Sequence, residues 1–254
     1  MIDSTAVVSP KAKIGKNVRI ESYAIVEADV EIGDNCWLGH HSVIYSHTKL
    51  GHSNRIHPFA VLGGDPQSYA YNNELTRLEI GDLNSIREMV TISRGTEPGG
   101  ITRIGSNNII MSYSHIAHDC QVGDNCVFAN GTNIAGFVTV GDYAFFGGFT
   151  LVHQKCRVGA HSISGINTVL RRDAPPYVLC EGNPARVKYV NVTGLKRRGF
   201  EDTTISALKA VLRMYLQGKK VEELIASLNE ETRKNHCVQT FANFLETSER
   251  GVIR

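Results

Sequence analysis

Residues 8–38 read VSPKAKIGKNVRIESYAIVEADVEIGDNCWL, and every sixth position of the stretch, Val8, Ile14, Ile20, Val26, Ile32 and Leu38, is aliphatic. The series runs on through Ile44, Leu50, Ile56 and Leu62, ten positions without a miss. In a chain that is 42% hydrophobic, chance would produce this about 10⁻⁴ of the time. A period of six fits neither the 3.6 of an amphipathic helix nor the sustained alternation of a long strand. It fits a short strand and a turn, repeated. Stacked coils of such units form a β-helix with the aliphatic positions piled inside, and three hexads close one triangular coil. The expected fold class is therefore mainly β, a left-handed parallel β-helix of hexapeptide repeats. Residue n should lie beneath residue n+18, at the parallel-strand spacing of about 4.8 Å.

The pattern returns from Ile104 through Val158, fails at Ser164 and resumes at Leu170. Four residues after each aliphatic position stands a mostly small residue, such as Ala24, Ser42 or Thr132, which lets the chain bend inward. The β-helix is thus expected over 1–173, with two projecting loops at about 63–79 and 94–103, the second carrying a Gly-Thr-Glu-Pro-Gly-Gly run. Loops leaving a rigid scaffold are common places for chemistry. Asp173-Ala174-Pro175-Pro176 punctuates a change of structure. A basic linker is expected over 174–200 and an α-helical C-terminal domain over 201–254, with helices from Asp202 to Gly218, Val221 to Leu228 and Thr232 to Phe244.

With 254 residues, 24 glycines and 7 prolines, the chain is neither disordered nor collagen-like. It holds no run of the roughly 18–20 apolar residues that a spanning helix needs. Met1–Pro10 lacks the basic-then-apolar order of a signal peptide, so the expected location is cytoplasmic. The net charge of +2 points to neither nucleic acid nor a membrane surface. It conceals an asymmetry, since 171–254 carries 15 basic against 10 acidic residues and 1–170 carries 12 against 15. An acidic partner would suit the tail.

Four of the six cysteines, Cys36, Cys120, Cys126 and Cys156, fall on the small inward position of the hexad and read as core filler. His115, His118 and His153 could be imagined as three zinc ligands. A different reading starts from Ser114-His115-Ile116-Ala117-His118-Asp119-Cys120. Ile116 points inward, so His118 and Asp119 should project at a corner, and the residue one coil above His118 is Gly136. An imidazole beside an unobstructed backbone N–H is the geometry of a general base next to an oxyanion donor. Taken alone, the two residues read more readily as an ordinary surface pair.

The chain resembles the UDP-N-acetylglucosamine O-acyltransferases of lipid A biosynthesis through that histidine cluster, Val-His-Gln at 152–154 and Gly-Leu-Lys-Arg-Arg-Gly-Phe at 194–200. Thr-Arg-Leu-Glu-Ile-Gly-Asp at 76–82, Asp-Ala-Pro-Pro-Tyr-Val at 173–178 and the closing Arg-Gly-Val-Ile-Arg are similar too. The resemblance implies a homotrimer with sites between subunits, moving an acyl chain from acyl carrier protein to the 3-position of a UDP-sugar without metal or other cofactor. Carried over by position, His118 would be the base, Asp119 its orienter and the Gly136 N–H the oxyanion donor. His115 and His153 would line the sugar-diphosphate pocket, Gln154 and Asn191 would meet the uracil, and Arg197 and Arg198 the phosphates or ribose.

The substrate-facing shell departs from the family at four positions. Ser68 and Ala70 stand where an acid and a lysine are usual, and Ser93 and Phe137 where histidines are. Ser68 could still hydrogen-bond an acyl 3-hydroxyl. Ile166 occupies the position that ends the acyl groove, where a branched side chain implies a shorter acyl chain than glycine would allow. These departures keep two alternatives open: another nucleotide amino sugar or an acyl-CoA donor, and an inactive β-helical scaffold.

Overall fold

A computed structural model describes all 254 residues, Met1–Arg254. Most hexads fold as a two-residue strand and a four-residue turn, as in Val7–Val8, Lys13–Ile14 and Arg19–Ile20. The second residue of each strand is the aliphatic one, and Ile20, Leu38, Ile44 and Ile56 are buried. Three sheets of nine, eight and ten strands form the faces of a prism. The first face begins at Val7–Val8, the second at Lys13–Ile14 and the third at Arg19–Ile20. Val7 pairs in parallel with Ile25, Lys13 with Glu31 and Arg19 with Trp37, which is the n+18 register read from the hexads. This layout is that of the left-handed parallel β-helix.

The loops are shorter than their sequence boundaries. Strands Val61–Gly64, Arg77–Ile80 and Ile101–Ile104 extend to four residues each and leave loops of 65–76 and 94–100. The partner offset grows to 30 residues where Val61 meets Thr91 and to 24 where Thr91 meets His115. Both insertions are whole hexads, so the aliphatic frame is never lost. Both loops leave the corner between the first and second faces, from coils below His118.

Part of the polar content inside the prism is satisfied by the stack itself, while Ser42 Oγ, Thr48 Oγ1 and Asn108 Nδ2 are buried without a partner. Asn54, Asn84 and Asn108 occupy the small inward position; Asn84 Nδ2 donates to Asn54 Oδ1 at 3.0 Å, and Asn84 Oδ1 accepts from the Asn108 backbone at 2.9 Å. Ser164, the one break in the aliphatic series, hydrogen-bonds Thr150 at 2.8 Å. It follows the stacked rings of Phe128 and Phe146 in the column, where a small side chain fits. Burial pushes the Cys120 and Cys126 thiols up to about 12, consistent with inert filler.

The segment 174–200 is not a linker. Val178–Glu181 adds to the third face in parallel with Ile163–Ser164, and Arg186–Val190 folds back antiparallel on it. Its basic residues point outward while Val178, Cys180, Val187 and Val190 are buried. Two short alternating runs are easily read as loop when charged residues interleave them. Then follow α1 (Val192–Arg197), α2 (Asp202–Leu216), α3 (Val221–Ala226), α4 (Glu230–Lys234) and α5 (His236–Glu246). The helix expected from Thr232 to Phe244 is two helices. Asn235 divides them, because its side chain accepts from the Cys237 and Val238 N–H groups and so starts a new helix. Asp173 ties this cap to the prism, accepting from Arg157 N at 2.8 Å and from Ser248 Oγ at 2.7 Å. No helix is long and apolar enough to cross a membrane.

Candidate active site

At the corner between the second and third faces, the first turn residue of most coils has its N–H capped by the side chain one coil above, the series ending at Asp142, which lies beneath Ala160. Lys16 N donates to Asp34 at 2.7 Å, Ser106 N to Asp124 at 2.6 Å and Asp124 N to Asp142 at 2.8 Å. The equivalent positions at the first-to-second corner are His118, Gly136 and Gln154. Glycine brings no side chain to cap His118, and Gln154 does not cap Gly136, whose N–H makes no backbone hydrogen bond. The same turn that is closed along one corner is left open here.

His118 sits over that opening. A Cβ placed on Gly136 would fall 2.3 Å from His118 Cε1 and 2.6 Å from Nε2, so the ring rests against bare backbone. His118 Nδ1 meets Asp119 Oδ2 at 2.9 Å. With the Nδ1 proton held by the carboxylate, Nε2 is the lone-pair nitrogen. Asp119 does not stand free in solvent as the corner position implied. The second loop folds over it, with Thr96 Oγ1 donating to Oδ2 at 2.6 Å and Thr96 N at 3.1 Å, and its side chain is only 10% exposed. Phe137 packs edge-on against the imidazole at 5.3 Å between centroids, where the family resemblance anticipates a histidine.

His118 and Gly136 line a groove of about 470 Å³ that also contains His115, His153, Gln154 and Arg171, with Asp119 behind the imidazole. His115 is held by Thr91 Oγ1 at 2.7 Å, and burial, reinforced by nearby His118, lowers its pKa and keeps it neutral. His153 Nδ1 lies 3.2 Å from Arg250. Larger recesses of about 820 and 870 Å³ lie elsewhere, so volume does not select the site; the open amide and oriented imidazole do.

The first loop reaches the groove through Gln67, not Ser68. Ser68 Oγ instead accepts from its neighbour Ala70 N at 3.3 Å. Sequence reading missed Gln67 because no hexad register extends into the loop. Arg94 pins that loop, donating to Gly63 O at 3.0 Å and Tyr71 Oη at 2.9 Å and pairing with Asp65.

Other expected residues stand on different corners. Asn191 lies at the second-to-third corner, nearly buried, capping α1 through Gly194 N and donating to His161 O at 2.8 Å. Arg198 stacks over Tyr143 at 4.9 Å there, while Arg197 is exposed. Ile166 is 69% exposed at the third-to-first corner. One chain therefore assembles His115, His118, Asp119, Gly136, His153 and Gln154, and leaves Asn191, Arg197, Arg198 and Ile166 apart from them. His115, His118 and His153 share a groove, but no three His, Cys, Asp or Glu side chains are grouped to hold a metal.

His161, stacked between Tyr143 and Tyr177, supplies a pH test. Burial first, then the charge of Arg198, lowers its pKa to about 4. The unfolded chain, at about 6.5, binds the proton more readily, so stability is fully present above that value and is lost as pH falls toward 4. The loss amounts to roughly 3 kcal/mol. Thermal melts between pH 7 and 4 should show the decline, and His161→Gln should flatten it; an equal decline in the variant would assign it elsewhere.

Comparison with known proteins first gives the class. A model described as bacterial transferase hexapeptide (six repeats) matches residues 29–64 and 101–136, and one described as UDP N-acetylglucosamine O-acyltransferase, domain 2, matches 173–253. The chain is a hexapeptide-repeat transferase. It is 47% identical over 255 residues to the acyl-[acyl-carrier-protein]–UDP-N-acetylglucosamine O-acyltransferase of Thiobacillus denitrificans, covering 100% of this chain and 99% of that one. It is 43% identical over 260 residues, with the same coverage, to the protein of the same name from Herminiimonas arsenicoxydans. Its structure matches that of a UDP-N-acetylglucosamine acyltransferase from Bacteroides fragilis with a TM-score of 0.97, at 35% identity and 100% coverage of both chains. The chain belongs to the acyl-[acyl-carrier-protein]–UDP-N-acetylglucosamine O-acyltransferase family.

Proposed function

We propose that the protein transfers an acyl or 3-hydroxyacyl chain from acyl carrier protein to the 3-position of UDP-N-acetylglucosamine or its 3-amino analogue, the first step of lipid A biosynthesis. The observation that carries the chemistry is the His118 imidazole, oriented by Asp119 and lying over the uncapped Gly136 N–H. His118 Nε2 takes the proton of the attacking hydroxyl or amine as that atom bonds to the thioester carbon. The carbonyl oxygen gains the negative charge and accepts from Gly136 N–H. Collapse expels the thiolate, which the imidazolium protonates. A thioester is already activated, so the step balances with protein groups alone. Incubation with UDP-N-acetylglucosamine, its 3-amino analogue and acyl carrier protein donors tests this reading; no acylated nucleotide sugar from either acceptor would sink it.

The active unit is a homotrimer in this reading. Asn191, Arg197, Arg198 and Ile166 lie on corners different from that of His118 and Gln154, so one prism does not complete a site, whereas neighbouring copies could bring corners together. The outward column of the first face is apolar at Val7, Ile25, Val43, Val61, Leu151 and Val169. The second face presents Lys13, Glu31, Lys49, Glu79 and Arg103, suited to water. The third-to-first corner exposes Tyr23, Phe59, Met89, Tyr113 and Phe149, an apolar edge that subunit packing would cover. Light scattering should report three chain masses.

Ile166 would set acyl length, favouring a medium chain. Beneath it lies Gly148, so removing the branched side chain would open space along that corner. Ile166→Gly should shift the preferred donor to longer acyl chains in a competition among acyl carrier protein substrates. An unchanged preference would remove Ile166 from that role.

A further inference from the structure

The closing Arg-Gly-Val-Ile-Arg, residues 250–254, brings the C-terminal segment to the wall of the catalytic groove. Asp173 clamps this segment on both sides of Arg250. Ser248 Oγ donates to its carboxylate at 2.7 Å, the Asp173 N–H donates to Gly251 O at 3.0 Å, and Ile253 N donates to Asp173 O at 2.9 Å. Gly251, at φ +72°, turns the chain directly after Arg250, in a conformation that suits glycine. The Arg250 side chain therefore leaves a fixed backbone. Its Nε is buried without a partner, and its Nη2 lies 3.2 Å from Nδ1 of His153, which lines the groove that holds His118.

The chemistry of that contact decides where the His153 proton sits. A guanidinium offers donors and no acceptor, so Nδ1 can meet Arg250 only with its lone pair, and the proton of the neutral ring is on Nε2. Gln154 O also lies 3.2 Å from Nδ1 and would require the reverse. One nitrogen cannot serve both. The bond from Arg250 is charge-assisted, roughly twice as strong as a neutral one, and it prevails. His118 has the opposite arrangement, since its Nδ1 meets the Asp119 carboxylate at 2.9 Å and its Nε2 keeps the lone pair. Ile116 pairs with Ile134 and Ile134 with Val152, so His153 stands two coils above the Ala117–His118 level, roughly 10 Å at the parallel-strand spacing.

We propose that Arg250 is a positioning residue that fixes His153 as the Nε2–H tautomer, so that one groove presents an acceptor imidazole at His118 and a donor imidazole at His153. The Nε2–H of His153 is the group left to meet an oxygen of the nucleotide sugar. That occupant rests on the function proposed above, whereas the tautomer does not. The helical cap thereby has a part in the site besides closing the end of the prism.

The test uses the full chain with nitrogen-15 in its histidine rings, as wild type, Arg250→Met, Arg250→Lys and His153→Gln, the last assigning the His153 signals. At about pH 8, where free imidazole is neutral, two-bond nitrogen–hydrogen NMR correlations should show wild-type His153 protonated at Nε2 and bare at Nδ1, with His118 reversed. A wild-type His153 protonated at Nδ1 overturns the proposal, whatever the variants do. Arg250→Met should move the proton to Nδ1, where it donates to Gln154 O, and Arg250→Lys, also a donor only, should restore the wild-type pattern. In steady-state transfer Arg250→Met should raise KM for UDP-N-acetylglucosamine about tenfold, the scale of one hydrogen bond to a charged group, with kcat and the donor KM changed far less. Arg250→Lys should recover most of that loss. In the His153→Gln background Arg250→Met should add nothing, because it acts through that ring. An unchanged nucleotide-sugar KM in Arg250→Met, or an equal loss in kcat and both KM values that lysine does not rescue, would make Arg250 a structural tie and overturn the proposal. If the NMR pattern follows Arg250 while wild type acylates no nucleotide sugar, the functional reading falls and the tautomer assignment stands.

Discussion

His118→Ala is expected to lower kcat about 10³-fold, since a positioned general base contributes on the order of 10²–10⁴. The fold should survive. His118 lies on the outer side of a turn whose shape is repeated at coil after coil, and its ring packs on Phe137 and Gly136 instead of in the aliphatic interior. Transfer measured at saturating donor and acceptor would separate lost chemistry from lost binding, because removing a proton acceptor used only in the reaction lowers kcat and kcat/KM together. Turnover within tenfold of wild type would place the base elsewhere. The second loop is part of the same device. Thr96 donates through both its hydroxyl and its backbone N–H to Asp119, leaving that carboxylate with one remaining task, to receive His118 Nδ1–H.

Gly136→Ala is the second large effect, expected to cost about 10²–10³ in kcat, the scale for losing one oxyanion donor. The added methyl would lie 2.3–2.9 Å from three atoms of the His118 ring. That ring is tethered to Asp119, so it cannot move aside without breaking the 2.9 Å bond that sets its tautomer. The same methyl would crowd the approach to the amide. Gly136 has no positive φ, so alanine brings no backbone strain, and the melting temperature should change by only a few degrees. A variant that melts like wild type and turns over like wild type would show that the reaction does not pass over this amide.

Much of the scaffold was legible because period six is a direct statement about which residues face inward. The register followed too, since a closed coil of three hexads leaves no freedom in which residue stacks on which; that is how Gly136 could be placed above His118. What the repeat could not show lies outside it. The carboxylate of Asp119 looked solvent-exposed because nothing in the local pattern says that Thr96, 23 residues earlier, returns to cover it. Gln67 was invisible for the same reason. The interleaved strands of 178–190 were misread because their alternation is only four or five residues long and bristles with charge. The separation of Asn191 and Ile166 from His118 needed three-dimensional corners, since family resemblance names residues without saying which chain supplies them.

Both loop insertions add complete hexads, and the corner from which they spring is the one where the reaction is placed. Length variation there is buffered. Because the hexad register does not run through residues 65–76 and 94–100, residues gained or lost within these loops leave the ladders on either side in phase. Drift in substrate choice can therefore proceed at the rim while the frame beneath stays fixed, much as a bookshelf accepts new volumes without moving its uprights.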